Sequence, residues 1–195
     1  MKTSNVTGYT TVPTDLGQVG LAWSALGLAR VFLPGENEEA PDRVMASTYG
    51  PDRRSEQAPE PLLPLVEAIQ AHMEGKAPRY EGIPLDLSQL TPFTAAVYEA
   101  TRRIPPGKAR TYGAVAHALG KPNAARAVGM ALSRNPFPLV VPCHRVLAQD
   151  GSLRGFTAPG GIETKRRLLE NEGFSFCVKR PRRPDGGSPE DCGPR

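Results

Sequence analysis

Three clusters of helix breakers divide the stretch from Thr91 to Val146 into pieces too short for any long helix. Pro105-Pro106-Gly107 stops the segment before it, Gly120-Lys121-Pro122-Asn123 reads as a turn, and Asn135-Pro136-Phe137-Pro138 breaks the chain again. Between the breakers the pattern is helical. Thr91 can cap the free N–H groups of a helix start with Pro92 in the first helical position, and Phe93, Val97, Ala100 and Ile104 mark one apolar face. The spacing predicts a short helix over Tyr112 to Leu119 and another over Ala124 to Ser133, joined by a glycine-containing turn as in a helix-turn-helix. The second helix carries Ala124, Ala125, Ala127, Gly129 and Ala131, small side chains that let it lie close against DNA or a neighbouring helix. Leu139-Val140-Val141 is expected as a buried strand, and Ile162 to Glu172 as a helix with Leu168 and Leu169 inward.

The first part of the chain reads differently. Val19 to Leu33 is expected to form two apolar strands around Ser24 to Gly27, a hairpin. Ala40 to Glu60, rich in Pro, Asp, Arg and Ser, is expected as a surface loop or irregular segment. Leu62, Leu63, Val66, Ile69 and His72 recur at helical spacing, which predicts an amphipathic helix over Pro61 to Met73. Gly75 to Pro84 is the best boundary. The expected fold class is therefore α+β: a small N-terminal α/β domain over residues 1–84, then a mainly helical C-terminal domain with a helix-turn-helix over 85–176. Residues 177–195, rich in Pro, Gly and charge, are expected as a flexible tail.

The formal net charge is +4, which favours a polyanionic partner without requiring one. No apolar run approaches the ~18 residues of a membrane span, and Met1 to Leu21 has no signal-peptide pattern. The three cysteines, Cys143, Cys177 and Cys192, are too few and scattered for a disulfide scaffold and point to a reducing, cytoplasmic setting. No CxxC or Cys/His cluster is present, so no metal is expected. Cys143 follows an apolar stretch and a proline and precedes His144. A thiol attacks as thiolate, and a histidine within reach can take its proton. Neighbours in an extended segment point apart, so a sharp turn at Pro142 is needed to serve one pocket, and an isolated buried cysteine is commonly just a small hydrophobe.

The surrounding pattern is more specific. Thr111-Tyr112-Gly113, Ala125-Arg126-Ala127-Val128-Gly129, Asn135-Pro136-Phe137-Pro138, Pro142-Cys143-His144-Arg145-Val146 and Lys165 to Glu172 together resemble the methylated-DNA–protein-cysteine alkyltransferases. The resemblance runs from about Thr91 to Gly173. It implies repair of O6-alkylguanine in double-stranded DNA by base flipping and irreversible, single-turnover transfer of the alkyl group to Cys143. No cofactor is implied, and the protein would act as a monomer. His144, through a water, would be the base, and Glu172 would orient and charge-stabilise it. Asn135 would hold the active-site turn, and Tyr112 would donate toward guanine N3. The carbonyls of Cys143 and Val146 would accept from the exocyclic amine, Phe156 would wall the site, and the N–H near Thr157 would meet O6. Arg126 would fill the gap left by the flipped base, with Ala125 and Arg134 among the residues facing DNA.

Each residue also has a plainer role open to it: Tyr112 in packing, Arg126 as a solvated charge, Asn135 as a turn residue, Glu172 in a helix-end ion pair, Lys165 simply exposed. His72 and His117 are expected at the surface. Phe156 stands where many members have tyrosine, and Ala158-Pro159 reads as a two-residue insertion in the covering loop. Three other functions fit parts of the pattern. These are a non-catalytic alkylated-DNA recognition protein, against which Cys143 counts, an alkylation-responsive regulator with a helix-turn-helix, and a cysteine hydrolase.

Overall fold

A computed structural model describes residues 5–15, 17–34, 40–157 and 160–176. The expected tail and the Ala158-Pro159 insertion lie outside the described residues. The first part is a three-stranded antiparallel sheet, order β1-β2-β3, built from Gly8–Thr14 (β1), Gly17–Ser24 (β2) and Gly27–Phe32 (β3). The hairpin expected around Ser24 to Gly27 is present, with a bulge between Ala22 and Trp23. β1 comes in addition to what periodicity predicted. Alternation along β2 sends Val19, Leu21 and Trp23 into the main core and Ala22 to the opposite face, where Tyr9, Met45 and Tyr49 pack.

That second face is covered by a helix, α1 (Pro41–Tyr49), where a loop was expected. Its polar composition hid a stripe: Pro41, Met45 and Tyr49 recur every four residues and all three are buried. Pro41 suits the first helical turn, and Asp42 there is favoured by the helix dipole. α2 (Leu63–Met73) covers the other face, preceded by a 3-10 turn over Glu60–Leu62. Its buried stripe is Leu65, Ile69, His72 and Met73, while Leu63 is exposed. His72 is thus a core residue; the surface position expected of it is wrong, because it sits three residues beyond Ile69 on the inward face.

The chain crosses to its second part along the edge of β3. The Leu28 N–H donates to the Pro84 carbonyl at 2.9 Å, and the Asp86 N–H donates to the Leu28 carbonyl at 2.8 Å. Gly27 is required at this crossing: its φ is 129°, and a Cβ would lie 2.5 Å from the Pro84 oxygen. Ser24 ties the same segment down by donating to Asp86 Oδ2 at 2.6 Å.

α3 (Pro92–Arg102) begins as its sequence predicts, with Thr91 Oγ1 accepting from the Thr94 N–H. Thr111 caps α4 (Tyr112–Ala118) in the same way, and α5 (Ala125–Ser133) follows a short turn, completing the helix-turn-helix. β4 (Arg110–Thr111) pairs in parallel with β5 (Val146–Leu147), and α6 (Gly161–Asn171) closes the part. Leu139 to Val141 is buried but is a turn, not the expected strand. Prolines at 136, 138 and 142 remove backbone donors on both sides, and Leu139 takes a positive φ of 73°. One apolar cluster joins β2, β3 and α2 to α3, α4, α5 and the 137–146 segment. Among the described residues no helix is long and apolar enough to cross a membrane.

Candidate active site

Between α5 and β5 the chain winds through a tight turn that ends on Cys143. Asn135 holds both sides of it: its Nδ2 donates to the Val141 carbonyl at 2.8 Å, and its Oδ1 accepts from the Phe137 N–H at 2.9 Å. The Val31 N–H of β3 donates to the Pro136 carbonyl at 2.8 Å, so the edge of the N-terminal sheet braces the same turn. Cys143 opens a 3-10 turn, Cys143–Arg145, directly after Pro142. A turn of that tightness is what Cys143 and His144 need in order to serve one site.

Cys143 is a buried free thiol. Burial pushes its pKa up, partly offset by Asn135 and by the positive charge of Lys165, so the resting group is the protonated thiol. It sits at the wall of a cleft of about 600 Å³ lined also by Asn135, Ser133, Arg134, Gly155, Phe156 and Thr157. The opposite wall comes from the N-terminal part, with Arg30, Phe32, Pro41 and Val44.

His144 is fully buried, and its Nε2 lies 2.8 Å from Glu172 Oε1. Its Nδ1 has no hydrogen-bond partner among the described residues. With Glu172 ionised, Nε2 carries the proton and Nδ1 presents a lone pair. Burial lowers the His144 pKa against the opposing pull of Glu172, which keeps the ring neutral. Glu172 is itself gripped by Arg145: Nε donates to Oε2 at 2.8 Å, Nη2 to Oε1 at 2.7 Å, and Nη1 to the Ile104 carbonyl at 2.6 Å. These bonds to His144 and Arg145 outweigh burial and hold the carboxyl down to about 2.

The other predicted residues fall in two groups. Tyr112, Phe156, Thr157, Val146 and Arg134 gather at or near the cleft. Tyr112 donates to the Arg154 carbonyl at 3.1 Å, and Gly155, at a φ of 67°, makes room for it, since a Cβ there would lie 2.9 Å from the hydroxyl. Thr157 is exposed and donates to the Ser133 carbonyl at 2.8 Å. Phe156 is buried, and the Val146 carbonyl accepts from Lys165 Nζ at 2.7 Å. Arg126 lies away from the cleft on the open face of α5, exposed with Ala127 and Met130, while Ala125 is half-buried beside it.

Three participants were not foreseen. Arg145 stands inside a quoted motif without a role, and an arginine is almost never fully buried unless it is paired. Lys165 is fully buried, not exposed, and donates to both Val146 and Arg154 carbonyls; burial brings its pKa down to about 8. His72 reaches the site from α2, its Nε2 3.8 Å from Glu172 Oε1. His117 is exposed, as expected.

Residues 92–174 match the family model of the 6-O-methylguanine DNA methyltransferase DNA-binding domain. The chain is 37% identical over 172 residues to a constitutive methylated-DNA–protein-cysteine methyltransferase of Bacillus subtilis, covering 88% of this chain and 98% of that relative. It is 36% identical over 166 residues to the methylated-DNA–protein-cysteine methyltransferase of Mycobacterium tuberculosis, covering 84% of this chain and 91% of the relative. Its fold is similar to the crystal structure of Mycobacterium tuberculosis OGT in complex with DNA, with a TM-score of 0.67 and 33% identity over 85% of this chain and 92% of that one.

Proposed function

The chain belongs to the methylated-DNA–protein-cysteine methyltransferase family, and we propose that its Cys143 is the acceptor atom's residue and that the groups around it divide into a base side and a lesion side. The protein is a DNA-repair transferase: an alkyl group leaves O6 of guanine in DNA and ends on the protein's own cysteine. DNA is its partner.

His144 takes the thiol proton at Nδ1, by way of a water, and Glu172 stabilises the imidazolium through Nε2–H. The thiolate sulfur attacks the alkyl carbon, a carbon–sulfur bond forms, and the carbon–O6 bond breaks with its electron pair going to guanine. Tyr112 donates toward N3 as the purine gains that charge. The thioether has no easy leaving group, so each protein acts once. Phe156 walls the base, Thr157 N–H meets O6, and the Cys143 and Val146 carbonyls accept from the exocyclic amine. Arg126 enters the duplex from the exposed face of α5, with Ala125 and Arg134 against the DNA. Extrusion costs a few kcal/mol, and an inserted side chain holds the gap.

The observation that carries this reading is the divided His144 ring: Nε2 is bound to a carboxylate and Nδ1 is unpartnered, one residue from a buried free thiol. Residues 85–176 would act as the transfer unit and residues 1–84 as its brace, with residues 177–195 as a tail. A thiol that must stay reduced suits the cytoplasm, and the protein would work there as a monomer without a cofactor. The test is a titration of an O6-methylguanine duplex with protein, the remaining lesion being counted by chromatography. Loss of one lesion per protein, then a plateau, is expected. Multiple turnover, or lesion binding with no loss, would overturn it.

A further inference from the structure

One buried titratable group has no part in the transfer scheme. His72 is wholly inaccessible, with Nδ1 2.9 Å from the Tyr80 hydroxyl and Nε2 3.8 Å from Glu172 Oε1. Its ring stands edge-on to His144 at 6.1 Å, and its Nε2 has no hydrogen-bond partner among the described residues. The titratable or charged groups facing it are Tyr80 from the segment after α2, Glu172 beyond α6, and His144 and Arg145 from the nucleophile turn.

The tautomer follows from that environment. A proton on Nδ1 would leave the Nε2 lone pair aimed at an ionised carboxylate in a dry site. With the proton on Nε2, the Tyr80 hydroxyl donates to Nδ1 at 2.9 Å in preference to its longer alternative, the Ala68 carbonyl at 3.5 Å, and the N–H dipole faces Glu172. Burial and the nearby His144 bring the His72 pKa down to about 4, so the ring is neutral. His72, His144 and Glu172 also place three donor atoms within 4.8 Å of one another. Both Glu172 oxygens, however, already accept from the Arg145 guanidinium, which would stand against any divalent cation.

We propose that His72 is a positioning residue for the transfer reaction: from the N-terminal part it aims an Nε2–H at the Glu172 oxygen that also holds His144, shares that oxygen's negative charge, and so keeps His144 a neutral base. This rests on the reading of His144 as the base for Cys143. Sharing matters because a carboxylate neutralised by Arg145 alone would hold the His144 proton more tightly and favour protonation of Nδ1, which could then accept nothing.

The chain has only three histidines, so each can be followed by NMR in the full-length protein without DNA. His72→Phe keeps a flat ring and removes the N–H. It is expected to raise the His144 titration midpoint by about one pH unit and to move the acid limb of the pH–rate profile for methyl transfer from an O6-methylguanine duplex upward by the same amount. His72→Gln, which keeps a donor near the Nε2 position, should restore both. Tyr80→Phe, which deletes only the hydroxyl that fixes the tautomer, should move the midpoint in the same direction by less, and serves if His72→Phe does not fold. An unmoved His144 midpoint in His72→Phe and Tyr80→Phe would overturn the proposal, as would zinc retained stoichiometrically by the wild type and lost in His72→Gln. The midpoint is read without lesion, so His72 is judged even if Cys143 transfers nothing.

Discussion

The two sides of Cys143 are built on opposite principles. On the base side, His144, Arg145, Glu172 and His72 are all buried, and the carboxylate's bonds are made within the protein. On the side proposed to meet the lesion, Thr157, Arg134 and Arg126 are exposed, and Gly155 keeps space beside the Tyr112 hydroxyl. The difference teaches where pre-organisation is needed. Proton removal depends on a fixed charge in a buried place, where an unpaired partner is very costly. Admission of a flipped base requires a surface whose polar groups become fully paired only when DNA arrives.

The contrast is broken most completely at the sulfur itself. Cys143→Ser should end transfer while lesion-duplex affinity, measured by fluorescence anisotropy, stays within a few-fold of wild type; transfer to the serine would remove the thiol from the mechanism. Next in size, Glu172→Gln leaves the buried Arg145 guanidinium without its counter-charge. Unfolding by urea should show a loss of about 3–5 kcal/mol, together with a steep fall in transfer. A loss below ~1 kcal/mol would mean that the base side is wetter than its geometry indicates.

Acid should loosen the base side before the lesion side. His72, held down to about 4 from its ordinary 6.5, is neutral in the fold, and His144 is likewise lowered. The unfolded chain therefore binds these protons first, so stability that is full above pH 6.5 is lost as pH falls toward 4. The His72 share is about 3.5 kcal/mol at most, at ~1.4 kcal/mol per unit. Glu172 adds a loss between its ordinary 4.5 and about 2. Melting followed at a series of pH values checks this, and a flat profile from pH 7 to 4 would contradict it. The smallest effect expected is Arg126→Ala: about tenfold slower repair of duplex lesions, ~1.4 kcal/mol of extrusion, with unchanged reactivity toward free O6-benzylguanine. Equal slowing of both would place Arg126 in the chemistry.

Legibility in the sequence follows the same divide. The helix start at Thr91 and the stops at Pro105 and Asn135 are local signals, and they set the helices of the C-terminal part correctly because caps and breakers act within a few residues. The base side joins positions 72, 144, 145 and 172, and no local rule couples α2 to the end of α6. His72 lay in the apolar repeat of α2, yet its polarity argued for the surface; its burial is made sensible by the Tyr80 hydroxyl and by the carboxylate a hundred residues on. α1 was hidden by composition, and the 139–141 segment by an apolar run that prolines keep from pairing. Arg145 was readable in principle, since a buried guanidinium demands an anion, but which one was not.

The central claim is that the alkyl group comes to rest on Cys143. The most direct measurement is intact mass of the protein after incubation with a duplex carrying one O6-methylguanine, followed by peptide mapping. A gain of a single methyl, located on Cys143 and absent in Cys143→Ser, is predicted. An unmodified protein that still binds the lesion preferentially, or a methyl on any other residue, would contradict it.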